Sequence, residues 1–187
     1  PFIETTSYNF IAKYETAVEA MIRREKAAVA GADYITPEQK NMHIQMLEGI
    51  SRYFESVFNE EAHNNAVKEG SLKLSYRALI AALFINLYRD EPILQLPFQL
   101  LSSLIAIDES LSNWRYRHAQ MVRRMIGQKI GTGGSSGYDY LKQTSEKHHI
   151  FLDLQKITTL LIPRSDLFEL PEPLKKELGF YFSAIKK

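Results

Sequence analysis

Apolar residues recur along most of the chain at intervals of three and four positions, which is the spacing of one face of an α-helix. The first such stripe consists of Phe10, Ile11, Tyr14, Val18, Met21 and Ile22. The Thr5–Ser7 segment precedes it with side chains suited to an N-cap, and Gly31 follows it as a stop signal. The pattern predicts a first helix that runs to about Ala30.

Three more helices are predicted before residue 90. Thr36 is suited to the N-cap of the second and Pro37 to its first position. Its apolar stripe is Met42, Met46, Leu47, Ile50, Phe54 and Phe58. The polar segment 59–70 predicts a short helix that ends at Gly70, and the segment 74–89 is apolar nearly all round, which predicts a buried helix.

The longest predicted helix continues through Pro97 and ends near Gly127. Its stripe is Phe98, Leu101, Ile105, Asp108, Leu111, Trp114 or Arg115, His118, Val122 and Met125. Two further helices are predicted, one over 148–163 that Pro163 stops and one over 174–185 that Pro171 and Pro173 open. Because β-like alternation is rare, we expect an all-α fold: a single helical domain over 1–187, a bundle with a long central helix.

Composition narrows the class of protein. An apolar share of 45% with 24% charged residues is typical of a soluble globular protein, and a net charge of +1 gives no case for a nucleic-acid partner. The absence of cysteine excludes disulfides and thiolate ligands. The apolar run 78–88 is shorter than the roughly 20 residues that span a bilayer. We expect a cytoplasmic protein without a membrane partner, and, because Pro1 replaces an initiator methionine, part of a longer or processed chain.

His118 is the first candidate for chemistry. A single helical histidine is usually structural, and its spacing alone leaves that interpretation open. Trp114 and Met121 add apolar surface beside it, and four cations lie within two turns: Arg115, Arg117, Arg123 and Arg124. A haem needs an apolar face and partners for two propionates, and a neutral imidazole is a common iron ligand. A solvated basic face explains most of these arginines equally well.

The loop "GTGGSSG" at 131–137 is the second candidate. It matches neither a P-loop nor a dinucleotide fingerprint, because the phosphate-binding lysine and a preceding strand are missing. Two interpretations remain open: a flexible linker, or backbone N–H groups and the hydroxyls of Thr132, Ser135 and Ser136 that close over a small polar ligand. Asp108, on an apolar helix face, is suited either to a general base or to a buried ion pair with an arginine.

The segment "WRYRHAQMVRRMIGQKIGTGGSSGYDYL" at 114–141 carries a resemblance that extends upstream and downstream. Residues from about 72 to 164 resemble the carboxy-terminal half of the tryptophan 2,3-dioxygenase family, and residues 1–71 do so more loosely. The resemblance implies a haem b enzyme that inserts both atoms of O2 across the indole C2–C3 bond of L-tryptophan and yields N-formyl-L-kynurenine. It also implies a homotetramer.

The resemblance implies roles for four residues. His118 would be the proximal ligand of the haem iron, and Trp114 and Tyr140 would line the haem side of the pocket. Thr132 would contact the ammonium and carboxylate end of L-tryptophan, and the glycine loop would be a backbone lid over haem and substrate.

One part of the family pattern has no counterpart here. No segment before residue 70 matches the distal histidine and the carboxylate-binding arginine of the family. We therefore expect no catalytic residue in this chain, an amino-terminal portion of the same enzyme as its partner, and no activity of the chain alone. The alternatives are a non-catalytic module that binds haem or an amino acid, and a helical protein whose basic face binds an acidic partner.

Overall fold

The structure, a computed structural model, describes residues 8–127, 138, 141, 143 and 149–179. These residues form helices and contain no β-strand, which confirms the all-α prediction. The α-helices are α1 (Phe10–Gly31), α2 (Pro37–Phe58), α3 (Glu60–Lys68), α4 (Tyr76–Leu87), α5 (Gln95–Ile126), α6 (Leu152–Lys156) and α7 (Glu172–Leu178). Short 3-10 helices cover Pro92–Leu94, Ile157–Leu160 and Arg164–Asp166.

The chain divides into two compact units. The first consists of Pro1–Gln95 with Ile157–Lys187, and the second of Leu96–Lys156. The expectation of one helical domain over 1–187 stays a prediction. Within the described residues, no helix has both the length and the apolar character needed to cross a membrane.

The predicted start of the second helix is confirmed and that of the first is wrong. Thr36 Oγ1 accepts from the Gln39 amide at 3.3 Å, and Gln39 Oε1 accepts from the Thr36 amide at 2.9 Å, which is a capping box. At α1 the N-cap is Asn9, whose side chain accepts from the Ala12 amide at 3.1 Å. Asparagine caps as well as serine or threonine and lies directly before the apolar stripe, whereas the Thr5–Ser7 segment lies outside the described residues.

An aromatic cluster forms the core of the first unit. The rings of Phe10 and Phe84 meet edge to face with centroids 5.2 Å apart, and those of Tyr14 and Phe58 with centroids 5.7 Å apart. Edge-to-face pairs stabilise a core beyond the apolar area that they bury. The cluster joins α1, α2 and α4. It buries the face of α1 that the sequence predicted to be apolar, at Phe10, Tyr14, Val18 and Ile22.

Helix α4 is buried nearly all round, as its composition predicted. Its buried side chains are Tyr76, Leu79, Ile80, Ala82, Leu83, Phe84 and Leu87. Just after the helix, the Tyr88 hydroxyl donates to the Phe168 carbonyl at 2.9 Å, which attaches the segment before α7 to this core. Helix α3 ends as predicted, with Gly70 in the left-handed region at a φ of 77°.

The prediction of one continuous helix over 148–163 is wrong. The structure has the short helix α6 (Leu152–Lys156), followed by the 3-10 helix Ile157–Leu160. Three consecutive β-branched residues, Ile157, Thr158 and Thr159, crowd the preceding turn of an α-helix, and this favours the change. The last helix ends at Leu178, and residues 180–187, which the prediction partly included, lie outside the described residues.

Candidate functional site

The second unit presents His118 on helix α5. The side chain is partly exposed, and the Trp114 indole, one turn earlier, stacks against the imidazole. The ring centroids lie 5.6 Å apart and the ring planes differ by 15°. The spacing of four residues places both side chains on one face of the helix. The indole therefore restricts the orientation of the imidazole while 63% of Trp114 stays exposed.

An apolar stripe extends along the same face of α5. Its exposed members are Leu96, Leu100, Ile107, Trp114, Met121 and Met125. At about 100° per residue, these six positions and His118 all fall within a sector of about 60°. Exposed apolar residues concentrated on one face of a helix are typical of a surface that contacts another molecule. We refer to these six residues as the α5 stripe.

Two exposed cations border the stripe near His118. Arg117 and Arg124 lie within about 60° of Met121 around the helix, and both are exposed. The other two arginines have different surroundings, since Arg115 is partly buried and Arg123 lies over the Tyr138 ring. The pair Arg117 and Arg124 is therefore the source of positive charge next to the stripe.

The face around His118 fits a haem. A haem needs an axial nitrogen, an apolar surface for the macrocycle and cations for its propionates. His118, Trp114 with the two methionines of the stripe, and the pair Arg117 and Arg124 match these three needs. Within the described ranges, no group of three or more histidine, aspartate or glutamate side chains could hold a bare metal ion.

Tyr138 follows the glycine loop and is held by α5. The Arg123 guanidinium lies over its ring, 5.1 Å from the centroid, and the Gln120 amide donates to its hydroxyl at 3.5 Å. A cation over an aromatic face is attracted by the negative charge of the ring. This contact could not be predicted from the sequence, because the spacing of Gln120 and Arg123 on one helix does not indicate which residue they meet.

Asp108 is fully buried and bound to backbone. Its Oδ1 accepts from the Ile150 amide at 2.9 Å and its Oδ2 from the Phe151 amide at 3.3 Å, and His149 Nδ1 lies 3.4 Å from Oδ2. Burial raises the pKa of this carboxyl, but the two amides and His149 outweigh burial and hold the pKa below its usual value. The structure therefore supports the interpretation of a buried, paired carboxylate. The predicted arginine partner is wrong, because the partners are His149 and two backbone amides. A carboxylate with no exposed surface is not placed to act as a general base on a substrate.

The remaining predicted site residues lie outside the described part of the chain. These are Thr132 and Tyr140, together with the whole loop at 131–137. Their roles, and the choice between a linker and a lid, stay predictions. Of the four residues to which the resemblance assigned roles, the structure brings two together, His118 and Trp114.

In the described part of the chain, fold and site together define an all-α protein whose longest helix carries His118 beside an exposed apolar stripe. The chain belongs to the tryptophan 2,3-dioxygenase family, whose model matches residues 1–161. It is 44% identical to the tryptophan 2,3-dioxygenase of Alteromonas mediterranea over 97% of this chain and 50% of the relative. The corresponding enzyme of Bdellovibrio bacteriovorus is 43% identical over 97% and 51%, and that of Dictyostelium discoideum is 39% identical over 99% and 46%.

The family match covers more of the chain than the resemblance of residues 72–164 indicated. The family match includes residues 1–71, where the resemblance was looser. The names of the relatives do not favour the alternative of a non-catalytic binding module. The chain spans about half the length of the curated relatives it matches.

Proposed function

We propose that this chain is part of a haem-dependent dioxygenase that inserts both atoms of O2 across the indole C2–C3 bond of L-tryptophan and yields N-formyl-L-kynurenine. One observation carries the proposal: in a chain of this family, His118 stacks with Trp114 on an exposed apolar face of α5. An imidazole on such a face is suited to bind the iron of a flat apolar cofactor.

In this proposal His118 would hold haem b as its proximal ligand, with a ring nitrogen bound to the iron. Trp114 lines the same side and holds the imidazole plane, which is how a neighbouring group orients a metal ligand. Tyr140 lines the haem side as well. Arg117 and Arg124 neutralise the propionates. The haem, when bound, supplies the O2 chemistry, while the protein supplies ligand, orientation and surroundings.

Thr132 binds the amino-acid end of the substrate in this proposal. Its hydroxyl contacts the ammonium and carboxylate groups of L-tryptophan. The glycines on both sides of it lack side chains and allow the backbone to approach a ligand closely. The support for this role is the loop motif and the family match.

The parts of the enzyme beyond this chain complete the site. We propose that they carry the distal histidine and the arginine that binds the substrate carboxylate, and that the enzyme is a cytoplasmic homotetramer. For the distal residues, support comes from the share of the relatives, about half, that this chain covers; the homotetramer and the compartment rest on the family resemblance. In this proposal the described residues around His118 would line one side of the haem, and the other side would come from those parts.

The first test is the absorption spectrum of the ferrous protein with carbon monoxide. The wild-type protein, in full length and loaded with haem, is expected to show a Soret band that shifts with carbon monoxide and to convert L-tryptophan. His118→Gly is expected to lose this band, because the axial nitrogen is removed, and added imidazole is expected to restore it. His43→Ala is the matched control: this partly exposed histidine of α2 pairs through Nδ1 with the Gln39 carbonyl at 2.8 Å.

Two results would contradict the proposal. An unchanged Soret band in His118→Gly would exclude His118 as the ligand. A wild-type protein that binds haem and leaves L-tryptophan unchanged under O2 would exclude the dioxygenase function. Loss of the band in His43→Ala would show that the assay reports on stability rather than ligation.

A further inference from the structure

The amino-terminal part of helix α5 is exposed and carries no charge. Between Glu91 and Asp108 the sequence contains no aspartate, glutamate, lysine or arginine. Surfaces that face water suit roughly 25–35% charged residues, so a long exposed helix face without any is typical of a surface that another element covers. We refer to the exposed positions of residues 96–107 as the uncharged face: Leu96, Gln99, Leu100, Ser102, Ser103, Ala106 and Ile107.

The two serines of the uncharged face add little polarity to it. Ser102 Oγ donates to the Phe98 carbonyl at 2.9 Å, and Ser103 Oγ donates to the Gln99 carbonyl at 2.8 Å. Because each hydroxyl donates within its own helix, it needs no acceptor from water or from a partner when the face is covered. The large apolar side chains are exposed by 74%, 61% and 52%, at Leu96, Leu100 and Ile107. Cover would therefore remove mainly apolar surface from water, which is favourable.

The spacing of the face indicates that an α-helix covers it. Leu96, Leu100, Ser103 and Ile107 follow one another at intervals of four, three and four residues. This alternation is the heptad spacing that lines up along a partner helix, with the two axes inclined by about 20°. A small ligand imposes no such repeat over about three turns of helix.

The haem of the proposed function does not reach the uncharged face. Ile107 precedes His118 by about 16 Å along the axis of α5, and Leu96 precedes it by about 33 Å. A haem bound to His118 through its central iron covers the neighbouring turns, which carry Trp114 and Met121. The uncharged face therefore has a different occupant.

The rest of the same enzyme is the occupant that the proposed function supplies. This chain spans about half the length of its relatives, so about half of such an enzyme lies outside residues 1–187. In the proposed function that half carries the distal histidine and the substrate arginine, across the haem from His118. Leu96, Leu100 and Ile107 share one sector of α5 with His118. A helix that continues from the distal side of the haem along α5 would thus meet the uncharged face.

We propose that the uncharged face is the docking site for an amphipathic α-helix from the half of the enzyme outside this chain. The inference rests on the division of the enzyme in the proposed function. The docked helix packs along α5 with apolar residues at heptad spacing and places no charge against Leu100. It joins the two halves at a place that haem does not touch.

The test places the photocrosslinking residue p-benzoylphenylalanine at position 100 of the haem-loaded, full-length protein. Light is expected to join position 100 to a peptide outside residues 1–187 of the same polypeptide, identified by mass spectrometry. Denaturing electrophoresis separates this case from a crosslink between two polypeptides, which doubles the mass. Position 42 is the matched control, because Met42 is 62% exposed against 61% for Leu100 and lies one turn from the charged Glu38. It is expected to give no crosslink to that half.

Two further variants make the test robust. The same photocrosslinking residue at position 99, which is exposed at the edge of the face, reports on the same contact where position 100 does not accommodate it. Leu100→Lys places a charge in the apolar contact, so the melting temperature of the full-length protein is expected to fall by several degrees. Met42→Lys is expected to leave the melting temperature unchanged. The carbon monoxide Soret band is expected to stay as in the wild type in both lysine variants, because neither position lies near His118.

The outcomes separate this inference from the proposed function. A crosslink between two polypeptides would show that a second copy covers the face, and would overturn the inference. A crosslink to a peptide within residues 1–187, or no crosslink at either position 99 or 100, would overturn it as well. These results leave the proposed function standing, because none of them concerns haem or L-tryptophan. A wild-type protein that binds no haem and converts no L-tryptophan overturns the proposed function, and the crosslink then still decides the inference.

Discussion

Tyr14 combines a buried aromatic ring with a paired hydroxyl. The ring packs in the aromatic cluster of the first unit, and the hydroxyl donates to the carbonyl of Leu160. Burial, with a smaller contribution from Tyr53, raises the pKa of the Tyr14 hydroxyl above its usual value, which favours the protonated form that donates this hydrogen bond. The contact joins α1 to the 3-10 helix at Ile157–Leu160.

Tyr14→Phe is expected to lower the free energy of unfolding by about 1–2 kcal/mol, because the Leu160 carbonyl loses its donor in a buried place. Urea denaturation followed by circular dichroism measures the change. Tyr34→Phe is the control, since Tyr34 is 90% exposed and is expected to show no change. Equal stability of Tyr14→Phe and the wild type would show that water replaces the hydroxyl.

The buried carboxylate of Asp108 is expected to make the free energy of unfolding depend on pH. Its pKa is lower in the folded protein than the value of about 3.9 in an unfolded chain. A carboxyl of this kind contributes stability that is complete above the unfolded pKa and is lost as the pH falls through the folded pKa. The difference in unfolding free energy between the wild type and Asp108→Asn is therefore expected to be largest near neutral pH and to shrink below about pH 4. Urea denaturation at several pH values measures it, and a difference that is constant with pH would contradict the assignment.

At the scale of elements, local chemistry determines where most helices begin and end. The capping box of Thr36 and the left-handed Gly70 were both visible in the sequence. The prediction of one continuous helix over 148–163 was wrong for a different reason. An apolar period of three to four residues does not distinguish a continuous helix from a short helix followed by a 3-10 turn, and Asp108 binds the amides where the predicted helix would begin.

Replacement by alanine is expected to have opposite effects on stability at two glycines, Gly49 and Gly70. Gly49 lies inside α2, and a Cβ built there meets no atom within 4 Å. Gly49→Ala is expected to stabilise the protein by about 0.5–1 kcal/mol, because alanine loses less conformational entropy in a helix. Gly70 has a φ of 77°, where an L side chain is strained, so Gly70→Ala is expected to destabilise by about 1 kcal/mol. Thermal unfolding measures both, and a loss of stability in Gly49→Ala would indicate a partner at this face of α2.

At the scale of the whole molecule, the α5 stripe shows the limit of periodicity. The sequence placed Trp114 and Met125 on one apolar face, and the structure leaves 63% and 75% of them exposed. Spacing along a helix shows which residues share a face, but it does not show what covers that face. In the proposed function, the haem covers the part of the stripe near His118.

Half of the candidate site could be predicted from the chain alone. The motif around His118 indicated that Trp114 is its aromatic neighbour, since residues four apart on a helix are adjacent whatever the tertiary fold, while the role of His118 as iron ligand stays a prediction. The partners of Asp108 could not be predicted. They lie about 40 residues away, and no periodic pattern connects positions at that distance.

The sequence by itself determined the all-α class, the helices α2 to α5, the buried face of α1 and the family. These depend on interactions within a few residues of the chain or on a long motif. Only the tertiary structure decided the exposure of the α5 stripe and the burial of Asp108 against two amides. Burial and long-range hydrogen bonds depend on which elements meet, and that is a property of the folded chain.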